Sequence, residues 1–146
     1  LFFNTAKYDV NQYVETLGLT VGEALLKPHI NYTNHIKKIL DRGIELKGVA
    51  HITGGGLIEN LPRVLPSNCK VNIIKDSWPM LPIFSLMQDI GSIDDNEMFR
   101  AFNMGIGMTI VVDRHSKEQV FDALSDLTTP YEIGSVCSGS CEVTIV

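Results

Sequence analysis

Ala50-His51-Ile52-Thr53-Gly54-Gly55-Gly56-Leu57-Ile58-Glu59-Asn60-Leu61-Pro62-Arg63 is the stretch whose reading decides the fold. An apolar run from Gly48 to Ile52 has the length and bounds of a short buried strand. Three glycines then lead into an apolar, helix-compatible segment that begins at Leu57. The pattern is strand, tight turn, helix start. Glycine tolerates positive φ and lets a ligand approach the backbone, so the N–H groups of residues 54 to 57 can converge on one point. The natural occupant of such a point is an anion, and a helix N-terminus at Gly56 or Leu57 adds partial positive charge. His51 and Thr53 flank the turn with a titratable ring and a hydroxyl. The same residues also admit a plainer reading: a tight connection, a hydrogen-bonded histidine at a strand end and Thr53 as an N-cap. No Gly-Lys-Ser/Thr follows, as a P-loop requires, and contiguous glycines do not fit the dinucleotide fingerprint.

Working outward, the 146 residues are one domain's worth of chain, expected to bury roughly 70% of the surface the unfolded form exposes. The chain opens Leu1-Phe2-Phe3-Asn4, too short an apolar run for a signal or membrane segment, and is expected to be cut from something longer. Twelve basic against seventeen acidic residues give a net charge of −5, and no basic run exceeds Lys37-Lys38. Nucleic acid and anionic membranes are therefore not expected as bulk partners, whereas a small anion held by backbone needs no net positive charge. Cys69, Cys137 and Cys141 are an odd number and are expected as free thiols in a cytosolic compartment. Cys137 and Cys141 flank a Ser-Gly-Ser turn without a second ligand pair, so no metal site is expected there.

Leu1 to Phe3 are expected to finish a helix, and Asp9 to Leu17 carries apolar residues at helical spacing. Thr20 is expected to cap a short helix stopped by Pro28, and a second helix is predicted from about Asn31 to Arg42 with Gly43 as its left-handed stop. Lys70 to Lys75 alternates as a strand, Trp78 is a packing anchor, and Leu81 to Ile90 is an amphipathic helix ended at Gly91. Asp94 with Glu97, and Ser116 with Gln119, have capping-box spacing. Asn103 to Gly107 turns into a strand over Met108 to Val112, where Gly105 and Gly107 either bring backbone close to a ligand or the 51 to 56 turn, or form a bulge. Tyr131 to Val136 and Cys141 to Val146 are expected to pair as a hairpin. Strands interleaved with helices predict an α+β domain, a mixed β-sheet with helices packed on it.

His51 to Pro66 closely resembles the signature of aminoimidazole ribonucleotide synthetase, the phosphoribosylformylglycinamidine cyclo-ligase family, and Glu97 to Met108 resembles that family's second signature. Gly22 to Pro28 and Ile133-Gly134 resemble weaker blocks of the same family, so the likeness runs from about Asp9 to Val146. It implies an α/β/α layered C-terminal domain, whose N-terminal partner, carrying the Mg²⁺ ligands, the ATP site and the homodimer contact, lies outside residues 1 to 146. It implies ATP and formylglycinamidine ribonucleotide as substrates, His51 as the catalytic residue, phosphate or nucleotide contacts from Thr53, Gly54, Gly55 and Gly56, and support from Asn103, Gly105 and Gly107. No metal ligand is expected within this chain. The segment Pro28-His29-Ile30-Asn31-Tyr32 departs from the family pattern, in which a threonine follows the proline and a cation precedes the tyrosine. Related ATP-dependent enzymes (formylglycinamidine ribonucleotide synthetase, thiamine-monophosphate kinase, selenophosphate synthetase, the hydrogenase-maturation dehydratase) share the histidine and glycines but not the Leu-Ile-Glu-Asn-Leu-Pro-Arg continuation. A non-catalytic scaffold of the same fold is the remaining alternative.

Overall fold

Helices and short sheets alternate along the chain in a computed structural model that describes all 146 residues. β1 (Tyr13–Val14) and β2 (Leu19–Thr20) form an antiparallel hairpin, followed by α1 (Val21–Leu25) and α2 (Thr33–Asp41). β3 (Gly48–His51) leads into α3 (Gly56–Asn60) and a 3₁₀ turn at Leu61–Val64. Next come β4 (Cys69–Ile73), α4 (Pro82–Gly91), α5 (Asp95–Ala101) and β5 (Met108–Val111). A 3₁₀ turn at Arg114–Ser116, α6 (Lys117–Leu124), β6 (Gly134–Ser138) and β7 (Val143–Ile145) complete the chain. This is the α+β class with a mixed sheet that the residue pattern predicts.

Three apolar clusters hold the layers together. The largest joins Ile52 from the end of β3, Leu57 from α3, Val71 and Ile73 from β4, and Met98 and Phe99 from α5. Leu57 and Met98 are fully buried, each side chain contributing roughly 2 kcal/mol of transfer free energy. Trp78 closes the cluster edge-on to Phe99 at 6.3 Å and donates its indole N–H to the Met104 carbonyl at 2.8 Å, the packing anchor its sequence context predicts. A second cluster packs α2 against α6 through Ile39, Val120 and Leu124, and a third seats Phe2, Val14 and Val21 against the apolar side chains of α4.

β4 is central in its sheet, in the order β6-β4-β7: β6 pairs antiparallel and β7 parallel. The hairpin expected between the last two strands is therefore not formed. The Ser-Gly-Ser turn instead passes over the start of β4, where Gly139 N–H donates to the Asn68 carbonyl and Cys141 N–H to the Cys69 carbonyl. A Cβ at Gly139 would stand 2.4 Å from the Lys70 Cγ, so this crossing needs glycine. Crossing at the turn gives β4, whose Val71 and Ile73 are buried, a partner on both edges.

Three further expectations are corrected. Residues 1 to 17 hold turns and β1 rather than helix: Asp9 closes an Asx turn onto Asn11 N–H at 2.8 Å. Gly18 sits at φ +63°, and Val10 and Tyr13 are exposed. α4 ends at Gly91 as expected, followed by a left-handed Ser92 at φ +48°. Ser116 makes no cap; Asp113 caps the preceding 3₁₀ turn through His115 N–H at 2.9 Å. Asp94 caps α5 from its side chain alone, whereas Thr20 and Glu23 form a complete capping box.

Candidate functional site

β3 runs antiparallel to β5 with His51 opposite Met108, and Ile52 N–H continues the ladder to the Gly107 carbonyl at 2.9 Å. This pairing carries His51 to the rim of the sheet, exposed, while the neighbouring Ile52 plunges into the core. The chain then reverses through two left-handed glycines, Gly55 at φ +98° and Gly56 at φ +56°. Gly56 is demanded twice, because a Cβ there would lie 2.0 Å from the Phe99 carbonyl oxygen and 2.6 Å from that of Phe102. The turn thus seats α3 directly on the backbone of α5.

The glycine amides divide. Gly56 N–H is committed to the Thr53 carbonyl at 3.0 Å, so it is not available to a ligand. The amides of Gly54 and Gly55 donate to no protein acceptor, and Thr53 and Gly54 are exposed. Beneath the turn the buried Asn60 carboxamide gathers three carbonyls: its Nδ2 donates to Gly56 at 2.8 Å, Gly54 at 3.2 Å and Thr53 at 3.3 Å. Its Oδ1 accepts from the Thr53 hydroxyl at 3.4 Å and from Arg63 Nη1 at 3.1 Å. The Asn60 carboxamide thus gathers the carbonyls of the turn on one side. Arg63 therefore serves Asn60 and does not pair with Glu59, whose exposed carboxylate lies against Gly55 and opposes an anion there.

His51 also borders an open cavity of about 370 Å³ shared with His29, Asn31, Tyr32, Thr33 and Met108. His29 and His51 meet Nε2 to Nε2 at 3.1 Å. Tyr32 stands edge-on to His29 with ring centroids 5.5 Å apart, and burial pushes its phenol above the ordinary tyrosine range. Gly107 makes room for both rings: a Cβ would fall 2.4 Å from the Tyr32 hydroxyl and 2.6 Å from His29 Cε1. The 28 to 32 segment, left without a role by its sequence, is thus part of the site. Asn103 spends its Oδ1 on Gly105 N–H at 3.0 Å, an Asx turn that shapes the loop, and Gly105 borders a second, smaller cavity of about 210 Å³ with His35 and Tyr131. Of the supporting residues expected around the turn, Gly107 lies against His29 and Tyr32, two of the residues that line the His51 cavity.

No group of three His, Cys, Asp or Glu side chains is arranged to hold a metal ion. The histidine pair offers nitrogen donors where Mg²⁺ takes oxygens, so these residues do not fit that ion. No helix is long and apolar enough to cross a membrane.

The family described as AIR synthase related protein, C-terminal domain, matches residues 5–146. The chain is 44% identical over 146 residues to the phosphoribosylformylglycinamidine cyclo-ligase of Alkaliphilus metalliredigens, covering 99% of this chain and 42% of that protein. It is 48% identical over 128 residues to the enzyme of that name from Acetivibrio thermocellus, covering 86% of this chain and 37% of that protein. The E. coli hydrogenase maturation protein HypE shares its fold at a TM-score of 0.61 and 20% identity, over 86% of this chain and 41% of that one. The chain spans about two fifths of the length of the curated relatives it matches. With its matched residues running almost end to end, this chain belongs to the AIR synthase related protein C-terminal domain family.

Proposed function

We propose that the chain is the C-terminal wall of a composite site in an ATP-dependent cyclo-ligase of purine biosynthesis. The reaction converts formylglycinamidine ribonucleotide to aminoimidazole ribonucleotide, ADP and phosphate. The observation that carries this reading is the 44% identity along the whole chain to a phosphoribosylformylglycinamidine cyclo-ligase. The exposed His51 beside two unpartnered amides supports it with the chemistry required.

In the first step the formamide oxygen attacks the γ-phosphorus of ATP; a P–O bond forms, the bond to ADP breaks, and a poor leaving group becomes phosphate. Positioning and electrostatics dominate such transfers. The Gly54 and Gly55 amides meet charge on the transferring oxygens, with Thr53 beside them. In the second step the amidine nitrogen attacks the activated carbon of the same molecule, the C–O bond breaks, phosphate departs and the nitrogen loses a proton. Proximity within one molecule lowers this barrier. His51 accepts that proton or donates to the departing phosphate, either of which an imidazole does near neutral pH. Mg²⁺ would neutralise phosphate charge, and its ligands, with most of the nucleotide site and the dimer contact, belong to a preceding domain. A cytosolic location follows from the substrates.

The test is the full-length protein supplied with Mg-ATP and formylglycinamidine ribonucleotide. Formation of ADP and aminoimidazole ribonucleotide in equal amounts is expected. A full-length protein that folds, binds both substrates and makes neither product would leave the scaffold reading in its place.

A further inference from the structure

We propose that His29 is a positioning residue for His51, the two rings sharing one proton across the Nε2 to Nε2 contact of 3.1 Å. The proposal rests on His51 acting in the reaction above. A hydrogen bond between two imidazole nitrogens requires one donor and one acceptor, so only one of the two Nε2 atoms carries the proton. That condition ties the tautomer of each ring to the other and fixes which nitrogen His51 presents.

The surroundings hold His29 in place for this role. Its ring lies 5.1 Å from that of His51 at 54°, is braced edge-on by Tyr32, and lies over Gly107, where a Cβ would come 3.0 Å from Nε2. No Asp, Glu, Lys or Arg lines the cavity. The titratable groups facing the pair are therefore Tyr32 from its own loop and, behind Tyr32 at 5.5 Å, His35 from α2, whose two ring nitrogens are buried without partners. Lys27 is exposed on the same loop, and the chain beside β3 contributes only Met108 of β5 and the preceding Gly107 to this face. The pair thus keeps His51 oriented through the one proton held at the Nε2 to Nε2 contact.

The experiment is steady-state kinetics of the full-length cyclo-ligase, comparing wild type with His29→Phe and His29→Gln. His29→Phe is expected to lower kcat about tenfold with little change in KM for ATP. His29→Gln, whose amide can still meet Nε2, should recover part of kcat, a rescue that loss of packing would not give. His29 is exposed, and glutamine there keeps a polar side chain of similar reach, so this variant carries the test if the phenylalanine variant folds poorly. Unchanged kcat in both His29→Gln and His29→Phe would overturn the proposal while leaving His51 in its role. Unchanged kinetics in His51→Leu would instead remove the reading on which it rests.

Discussion

The Asn60 carboxamide donates to the Gly56 carbonyl at 2.8 Å, and the same nitrogen reaches the carbonyls of Gly54 and Thr53. One buried side chain therefore sets the shape of the whole glycine turn. Asn60→Leu keeps the approximate volume and takes the side-chain donor from three carbonyls, of which that of Thr53 keeps the Gly56 N–H. A loss of about 1 to 2 kcal/mol in urea-monitored stability is expected, the cost of hydrogen bonds lost around a buried side chain. Activity should fall further than stability explains, because the Gly54 and Gly55 amides lose their fixed direction.

Gly56 offers the sharpest steric prediction. Alanine there meets the Phe99 carbonyl at 2.0 Å and must hold φ +56°. Since both obstacles are backbone, Gly56→Ala should cost roughly 3 kcal/mol or more in chemical denaturation, from overpacking and left-handed strain together. Gly54→Ala, with nothing within 4 Å of its Cβ, should stay near wild type in stability.

Gly107 links the sheet to the histidine pair. The Cβ of Gly107→Ala would press on the Tyr32 hydroxyl at 2.4 Å and on His29 Cε1 at 2.6 Å. Displacing His29 should reproduce the lowered kcat of His29→Phe without altering either histidine. Stability should fall by about 1 to 2 kcal/mol, read from thermal melts.

Glu23 makes a pH prediction remote from the site. Hydrogen bonds from the Thr20 backbone and hydroxyl lower its pKa below the ordinary value of 4.5. A carboxyl depressed in the folded state stabilises above its unfolded pKa, and that stability is lost as pH falls through the folded pKa. Melting temperatures of wild type should therefore drop more steeply below about pH 4.5 than those of Glu23→Gln, and parallel curves would show the capping box to be inert.

Much of this was readable in the residues. Strand, triple glycine and helix fall where the Gly48 to Asn60 pattern predicts, because a buried strand and a φ-positive turn leave local marks. The placement of β7 on the far edge of β4 left none, since pairing across 72 residues is decided by which edge is open and not by a turn motif. Residues 9 to 17 had helical spacing, yet Asp9, Asn11 and Gly18 supplied local turns that won over it. At the site, His51 could be singled out by its neighbours, whereas Asn60 looked like any helix residue until its carboxamide was seen under the turn. His29 was equally hidden: its partner lies 22 residues away, and only the β3–β5 register and the bare Gly107 bring the two rings together.

The central claim is that His51 and the turn beside it act on a phosphoryl group, and it is tested most directly by turnover of His51→Leu in the full-length protein. His51 is exposed and its backbone stays paired to β5, so the variant should fold with an unchanged melting transition. The account predicts a kcat at least about a hundredfold below wild type, the usual scale of a positioned acid or base. A folded His51→Leu enzyme that turns over at the wild-type rate would contradict it.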